Sequence, residues 1–442
     1  MLRLPLVVVS VLLTVIAAQI YAAAPPNVIL IMADDFGYEL VGANGGQSYR
    51  TPHLDALAAS GMRFEHCYAQ PLCTPTRVQL MTGQYNVRNY AAFGHIDRNA
   101  TTFAHLLKKA GYATAVAGKW QLGRGKRLPQ RLGFDEACLW QHTRRPPRYA
   151  NPGLEYDGVE RDFTDGEYGP KLVNDFALTF IERHKGKPFF LYYPMMLTHR
   201  PFEPTPDSAD WDPAARGPER QRDRDPKYFA DMVAYMDKMV GRLVAKVDEL
   251  GIRDNTLVIF LGDNGTDRAV TSQWRGQSYP GGKGLGSARG THVPLIANWP
   301  GRIPAGRVSS DLIDSTDFFP TLCEPAGVAL PESLTVDGRS FFPQLTGQPG
   351  QPREWIYCWY GRHGGPTADI EFAMSRDQKL YRDGRFYDLR EDPFEEQPLD
   401  AKEVTGEDAE VAEMLQEALD QYADARPMHL RQPPNRMRRR AR

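Results

Sequence analysis

The stretch "PLCTPTRVQLMTG" (71–83) places Cys73 two residues before Pro75 and four before Arg77. Thr74 can cap a helix whose first residue is Pro75. Cys73 then stands just outside the mouth of that helix, where free N–H groups and the helix dipole favour negative charge. Arg77 falls in the first turn, and a guanidinium beside a helix mouth suits a tetrahedral oxyanion. A buried cysteine next to a surface arginine would leave the same letters, so the run alone keeps both readings open. Two acidic clusters accompany it. Asp34 and Asp35 close "PPNVILIMADD" (25–35), and Asp263 and Asn264 follow "TLVIFLG" in "TLVIFLGDNG" (256–265). These four side chains offer only oxygen donors, which fits a hard divalent cation, Ca2+ or Mg2+. Asp and Asn ahead of glycine also make turns, which is the plainer alternative.

The elements that would position these residues alternate between strand and helix. "PPNVILIMADD" and "TLVIFLGDNG" are continuous apolar runs that end in polar residues, the pattern of strands buried on both faces. "TPHLDALAASG" (51–61) and "TTFAHLLKKAG" (101–111) read as short helices. "YATAVAGKW", "PFFLYYPM" and "VPLIANWPG" read as strands, and "GPKLVNDFALTFIERHKG" as a helix. The longest helix spans 226–251, with Phe229, Met232, Val233, Met236, Val240, Leu243 and Val247 on one stripe. "DLIDSTDFFPTLCEPAG" reads as a helix with a proline interruption. The alternation predicts an α/β fold with a large, mostly parallel sheet flanked by helices over 25–350. In such sheets ligands bind beyond the carboxyl ends of the strands, where both acidic clusters fall. From 351 to 428 short β-rich segments, a turn at "RDGR" and a helix over 407–425 predict a smaller C-terminal antiparallel sheet plus helix. The basic, proline-containing tail 429–442 predicts disorder.

Formal net charge is −2 over 442 residues, so no overall charge draws the protein to nucleic acid or anionic lipid. Residues 1–24 carry Arg3, an apolar run and a small-residue close, "YAAA", the form of a cleaved signal peptide. No other stretch reaches the length of a membrane span. The expectation is export, to the periplasm or the medium in a bacterium, without a stable span after cleavage. Export permits disulfides. Five cysteines leave at least one unpaired, expected to be Cys73, while Cys67, Cys138, Cys323 and Cys358 allow three pairings or none. Asn99-Ala100-Thr101 is a glycosylation sequon, of consequence only in a eukaryotic host.

"LCTPTRVQLMTG" resembles the signature of formylglycine-dependent type I sulfatases, arylsulfatase-like members of the alkaline phosphatase superfamily. "NVILIMADDFGY", "TPHLDALAASGMRF", "AGYATAVAGKW", "THRPF", "DNTLVIFLGDNG", "GGKG" and "VPLIANWPG" resemble further blocks of that family, in the same order, across most of 26–300. The resemblance implies an alkaline phosphatase-like fold and hydrolysis of a sulfate ester, on a sulfated glycan or another organic sulfate. It implies that Cys73 becomes formylglycine, whose hydrate attacks sulfur to give a covalent sulfo-enzyme. Asp34, Asp35, Asp263 and Asn264, with the residue at 73, would hold Ca2+. Arg77 would steady the formylglycine, Lys119 and Lys283 would neutralise the sulfo group, and His199 would protonate the leaving oxygen or bind the sulfate. A formylglycine-generating enzyme is the implied maturation partner, reading Cys, Pro and Arg as a linear word in the unfolded chain.

Two positions depart from the family pattern. Gln121 stands where a histidine follows "GKW", and glutamine takes no proton near neutral pH. His292 of "SARGTHVP" stands where the family often has arginine. Both are expected to touch substrate or tune the site. A phosphate or phosphonate monoester hydrolase, and a non-catalytic binder of sulfated glycans, are the competing functions. The segments 141–163 and 204–226, rich in charge, proline and aromatics, are expected to form the rim that reads the sugar.

Overall fold

The computed structural model describes residues 25–140, 146–214 and 225–431. The expected signal peptide, five residues of the 141–163 segment, ten of the 204–226 segment and most of the basic tail lie outside the described residues.

Ten strands form one sheet in the order β12-β2-β11-β8-β1-β7-β3-β4-β5-β6. They are β1 (Asn27–Ala33), β2 (Met62–Tyr68), β3 (Ala113–Lys119), β4 (Glu136–Trp140), β5 (Gly153–Tyr156), β6 (Val159–Asp162), β7 (Phe189–Pro194), β8 (Thr256–Gly262), β11 (Leu295–Asn298) and β12 (Arg307–Asp314). The centre, β8-β1-β7-β3-β4, is parallel throughout. β11 runs antiparallel between β2 and β8, and β5 and β6 close the far edge as an antiparallel hairpin.

β1 shows why its sequence is apolar without a break. Val28, Leu30 and Met32 enter one core together with Val78, Leu80, Phe103 and Leu107. Ile29, Ile31 and Ala33 enter the other with Leu54, Phe180, Met232 and Val240. Successive side chains point to opposite faces, and helices cover both. The helices Pro52–Ala59, Gly169–His184 and Phe229–Glu249 supply one layer. Cys73–Thr82, Phe103–Lys109 and Phe318–Cys323 supply the other.

β9 (Thr271–Trp274) and β10 (Gln277–Pro280) form a separate hairpin. A five-stranded antiparallel sheet follows, β13 (Ile356–Tyr360), β14 (Ile370–Met374), β15 (Gln378–Tyr381), β16 (Arg385–Asp388) and β17 (Leu399–Asp400). Gly384 makes the turn between β15 and β16 with φ +93°, a conformation that favours glycine. The helix Glu407–Asp420 packs against β14 and β15.

One element differs from its expectation. "DLID" is not helical; it ends β12, which pairs with β2. The chain then turns through Ser315–Asp317 into the helix Phe318–Cys323. Asp314 fixes that change of direction: its carboxylate accepts the Thr316 N–H at 2.8 Å, and Asp317 accepts the Asp314 N–H at 2.9 Å. All five cysteines are buried and free, so of the pairings open to Cys67, Cys138, Cys323 and Cys358 the structure has none.

Candidate active site

Register brings the acids together. Ala33 lies beside Gly262 in the β1–β8 ladder, so the residues that follow them, Asp34, Asp35, Asp263 and Asn264, leave the sheet at one level. All four are fully buried. Gly262 is obligatory at this crossing, because a Cβ there would sit 2.0 Å from the Phe36 carbonyl oxygen. β3 ends at the same edge with Lys119, and the loop after β7 carries His199. Gly118 lets β3 close on β7; its Cβ would meet the Pro194 carbonyl oxygen at 1.9 Å.

Cys73 is the first residue of the helix Cys73–Thr82, preceded by extended Leu72. The expected Thr74 cap is absent. Thr74 instead donates to the Gln121 carbonyl at 3.3 Å and accepts the Gly94 N–H at 3.1 Å, tying the cysteine turn to the loop after β3. Thr76 reaches back to accept the Gln70 N–H at 3.0 Å and donates to the Asp263 carbonyl at 2.6 Å. Arg77 is buried in the same network. Its Nε and Nη2 donate to Asp263 Oδ2 at 3.2 and 2.8 Å, and Nη1 donates to the Lys119 carbonyl at 2.6 Å. Arg77 therefore braces the acids and β3.

The remaining charges alternate. Lys119 Nζ donates to Asp34 Oδ1 at 2.7 Å, and Lys283 Nζ to Asp35 Oδ2 at 2.6 Å. The Asp35 N–H donates to Asp263 Oδ1 at 3.0 Å, and Asn264 Nδ2 to Asp35 Oδ1 at 2.9 Å. Burial pushes the Asp34 and Asp35 carboxyls above their usual range, against the pull of the lysines. His199 donates from Nδ1 to the Arg200 carbonyl at 2.6 Å, which leaves Nε2 facing Asp35 Oδ2 at 3.8 Å. Burial, then Lys283, Lys119 and Arg148, hold His199 well below its ordinary pKa and keep it neutral. Burial likewise raises the Cys73 thiol, so an unmodified Cys73 is a poor nucleophile.

The acids fit a hard cation. Ligand atoms of Asp34, Cys73 and Asp263 lie within 4.8 Å of one another, as do those of Asp34, Asp35 and His199. Asn264 Oδ1 is buried without a hydrogen-bond partner among the described residues, an oxygen that a cation would satisfy. A divalent ion would also hold the two raised carboxyls ionised. The Cys73 sulfur is the one soft donor in this set.

Above the acids opens a cavity of about 670 Å³, bordered by Cys73, Gln121, His199 and Lys283. Gln121 is thus at the site, on left-handed backbone with φ +54°. His292 is not among the residues that border it. Its ring is stacked between Tyr38 (4.1 Å) and Tyr68 (5.0 Å), and Nε2 bonds the Glu65 carbonyl at 2.8 Å. Burial depresses it to about 3, so it is neutral. Of the two expectations for His292, substrate contact and local tuning, this packing favours the second. Sequence reasoning singled out neither Trp140 and Arg148 nor Arg268 and Arg362, which also border the cavity. Of these, only Arg148 lies in a segment expected to form the rim.

A basic pocket over buried acids, at the carboxyl edge of a mostly parallel sheet, suits an anionic ligand. The chain belongs to the sulfatase family, whose model matches residues 26–328, and it is a sulfuric ester hydrolase. A second model, N-sulphoglucosamine sulphohydrolase, C-terminal, matches residues 286–425. The chain is 31% identical to arylsulfatase A of Bos taurus, across 86% of this chain and 84% of that protein. It is 35% identical to N-acetylgalactosamine-6-sulfatase of Canis lupus familiaris, across 76% and 69%. Among solved structures, Ps i-CgsB in complex with k-i-k-neocarrahexaose superposes with a TM-score of 0.77 at 25% identity, covering 93% of this chain and 95% of that one. The phosphonate monoester hydrolase of Agrobacterium radiobacter shares the fold, with a TM-score of 0.66 at 21% identity over 90% and 95%.

Proposed function

We propose that the protein hydrolyses a sulfate monoester on a sulfated glycan, with position 73 as the nucleophile after conversion of Cys73 to formylglycine. The observation that carries this reading is the position of Cys73, at a helix N-terminus above buried oxygen donors and among Lys119, Lys283 and His199. Formylglycine supplies an aldehyde hydrate as the attacking oxygen, and Ca2+ supplies Lewis-acid stabilisation of the sulfo oxygens. Asp34, Asp35, Asp263 and Asn264 would hold the cation. Oxygen at position 73 suits a hard ion better than sulfur does, so the modification and the metal support each other.

Arg77 keeps position 73 and Asp263 in register through its bonds across the helix mouth. Lys119 and Lys283 present ammonium groups to the sulfo oxygens and stabilise the charge that develops there. His199, neutral with its Nδ1 proton spent on the Arg200 carbonyl, has an unprotonated Nε2, which can pass a proton to the leaving oxygen only after taking one from water. Gln121 borders the same cavity as position 73 but cannot take a proton, so breakdown of the sulfated enzyme depends on another base. Export of the protein is inferred from residues 1–24. The glycan is inferred from the named activities of the relatives and from the sugar bound in the structural neighbour.

The test is mass spectrometry of the tryptic fragment ending at Arg77, from protein coexpressed with a formylglycine-generating enzyme. Conversion lowers the mass by about 18 Da. Rates on 4-nitrophenyl sulfate and 4-nitrophenyl phosphate are then compared. Conversion with faster sulfate release is expected. Faster phosphate release would make the protein a phosphomonoester hydrolase, and an unmodified thiol with no turnover would make it a glycan binder.

A further inference from the structure

Arg148 is a charged side chain that none of the foregoing roles uses. It is 5% exposed, and its Nη1 is buried with no hydrogen-bond partner among the described residues. Among the described residues Nη1 pairs only loosely with Asp34 Oδ2, at 3.9 Å and outside hydrogen-bond reach, and Lys119 already stands 2.7 Å from Asp34. Glu203, on the segment after His199, feels the Arg148 charge but forms no ion pair with it among the described residues. A buried guanidinium normally has its donors filled, since an unpaired one forfeits the hydration it had in water. Here the unfilled donor belongs to a residue that borders the cavity shared by Cys73, His199 and Lys283.

The fork is held in place. Its carbon lies 4.1 Å from the centre of the Trp140 ring, in cation–π contact. Trp140 ends β4 directly beside Lys119 in the β3–β4 ladder, so the stack places Arg148 next to the lysine strand end. The Trp140 indole N–H donates to the Pro146 carbonyl at 3.0 Å, and the Tyr149 hydroxyl donates to the Met196 carbonyl at 3.0 Å. Tyr149 also contacts the His199 carbonyl, tying Arg148 to the histidine loop. The platform therefore fixes Arg148 at the border of the cavity, with Nη1 3.9 Å from Asp34 Oδ2.

We infer that Arg148 is a substrate-binding residue that hydrogen-bonds a non-bridging oxygen of the ester's sulfo group, as a third cation beside Lys119 and Lys283. This rests on the sulfatase reading above. A planar fork with a free donor recognises a tetrahedral oxyanion more sharply than an ammonium does.

The experiment uses the full chain in calcium buffer, with Arg148→Met and Arg148→Lys. Binding of inorganic sulfate is measured by titration calorimetry on protein with unmodified Cys73, and kcat and KM for 4-nitrophenyl sulfate on converted protein. Arg148→Met is expected to weaken sulfate binding about ten- to hundredfold, the loss of one charge-assisted hydrogen bond to an anion. Arg148→Lys should recover part of it, and guanidinium ion should partly rescue the methionine variant. Sulfate affinity and kcat/KM within twofold of wild type in both variants would overturn the assignment, as would a lowered melting temperature with unchanged sulfate affinity. If Arg148→Met fails to fold, Arg148→Lys decides, since it keeps the charge and loses the fork. Wild-type protein that is converted yet releases no sulfate would overturn the sulfatase reading itself, and this assignment with it.

Discussion

Arg77→Met tests whether the site is braced from below. Arg77 and Asp263 are both fully buried, and Arg77 makes three hydrogen bonds, two to the carboxylate and one to the Lys119 carbonyl. Removing the guanidinium leaves Asp263 charged in the interior, which costs about 3–5 kcal/mol. At about 2.1 cal/mol/K per residue, a chain of 442 residues unfolds with an entropy of roughly 0.9 kcal/mol/K, so the melting temperature should fall by about 3–5 °C. The assay is scanning calorimetry in chelator, so that metal binding does not mask the loss. Arg77→Met combined with Asp263→Asn should be destabilised by at least ~1 kcal/mol less than the two single changes together, because the double change leaves no orphan charge. A single variant melting within 1 °C of wild type, or an additive double variant, would refute the view that this pair is a structural brace.

Asn264→Leu should abolish the rise in melting temperature that Ca2+ gives the wild type, a rise equivalent to about 2.7 kcal/mol at a hundredfold excess over Kd; thermal scans with and without Ca2+ check this. Burial holds the Glu39 carboxyl up at about 7, against 4.5 for an ordinary glutamate. Its raised folded-state value means that its contribution to stability is fully present below about pH 4.5 and is lost as pH rises through 7. Glu39→Gln should therefore melt progressively higher than wild type between pH 5 and 8, by up to roughly 3 kcal/mol, and a difference independent of pH would contradict the sign. His292→Ala should cost about 1–3 kcal/mol of stability through the lost stack and the unpaired Glu65 carbonyl, with kcat and KM within about twofold of wild type.

The sequence was most legible where one physical rule acts alone. A strand buried on both faces must be apolar throughout and must turn polar where it leaves the sheet, so β1 and β8 announced their ends and the acids there. The helix stripes, the antiparallel C-terminal sheet and its "RDGR" turn followed from periodicity and turn chemistry. Local rules failed where a distant partner decided the outcome. Thr74 suits a cap, but its hydroxyl is drawn to Gln121, 47 residues away. "DLID" suits a helix, but β2 offers it a ladder. His292 has the chemistry of a ligand contact, yet two tyrosines claim its ring. Arg148 left no local signal beyond a basic segment, because its position depends on Trp140 and on Tyr149 reaching the histidine loop.

The burial of Cys73 has a consequence for populations of molecules. The side chain is 2% exposed at the floor of its cavity, within a helix that packs into the core. On the reading proposed here, an enzyme that must grasp the extended chain around position 73 cannot do so once that helix has docked. Each molecule then passes its single opportunity during synthesis and keeps the result. On that reading, incomplete conversion leaves a preparation as a fixed mixture of two species, one active and one inert. Its specific activity records a race between folding and modification, set by the rates in the producing cell and unchanged by adding the modifying enzyme afterwards.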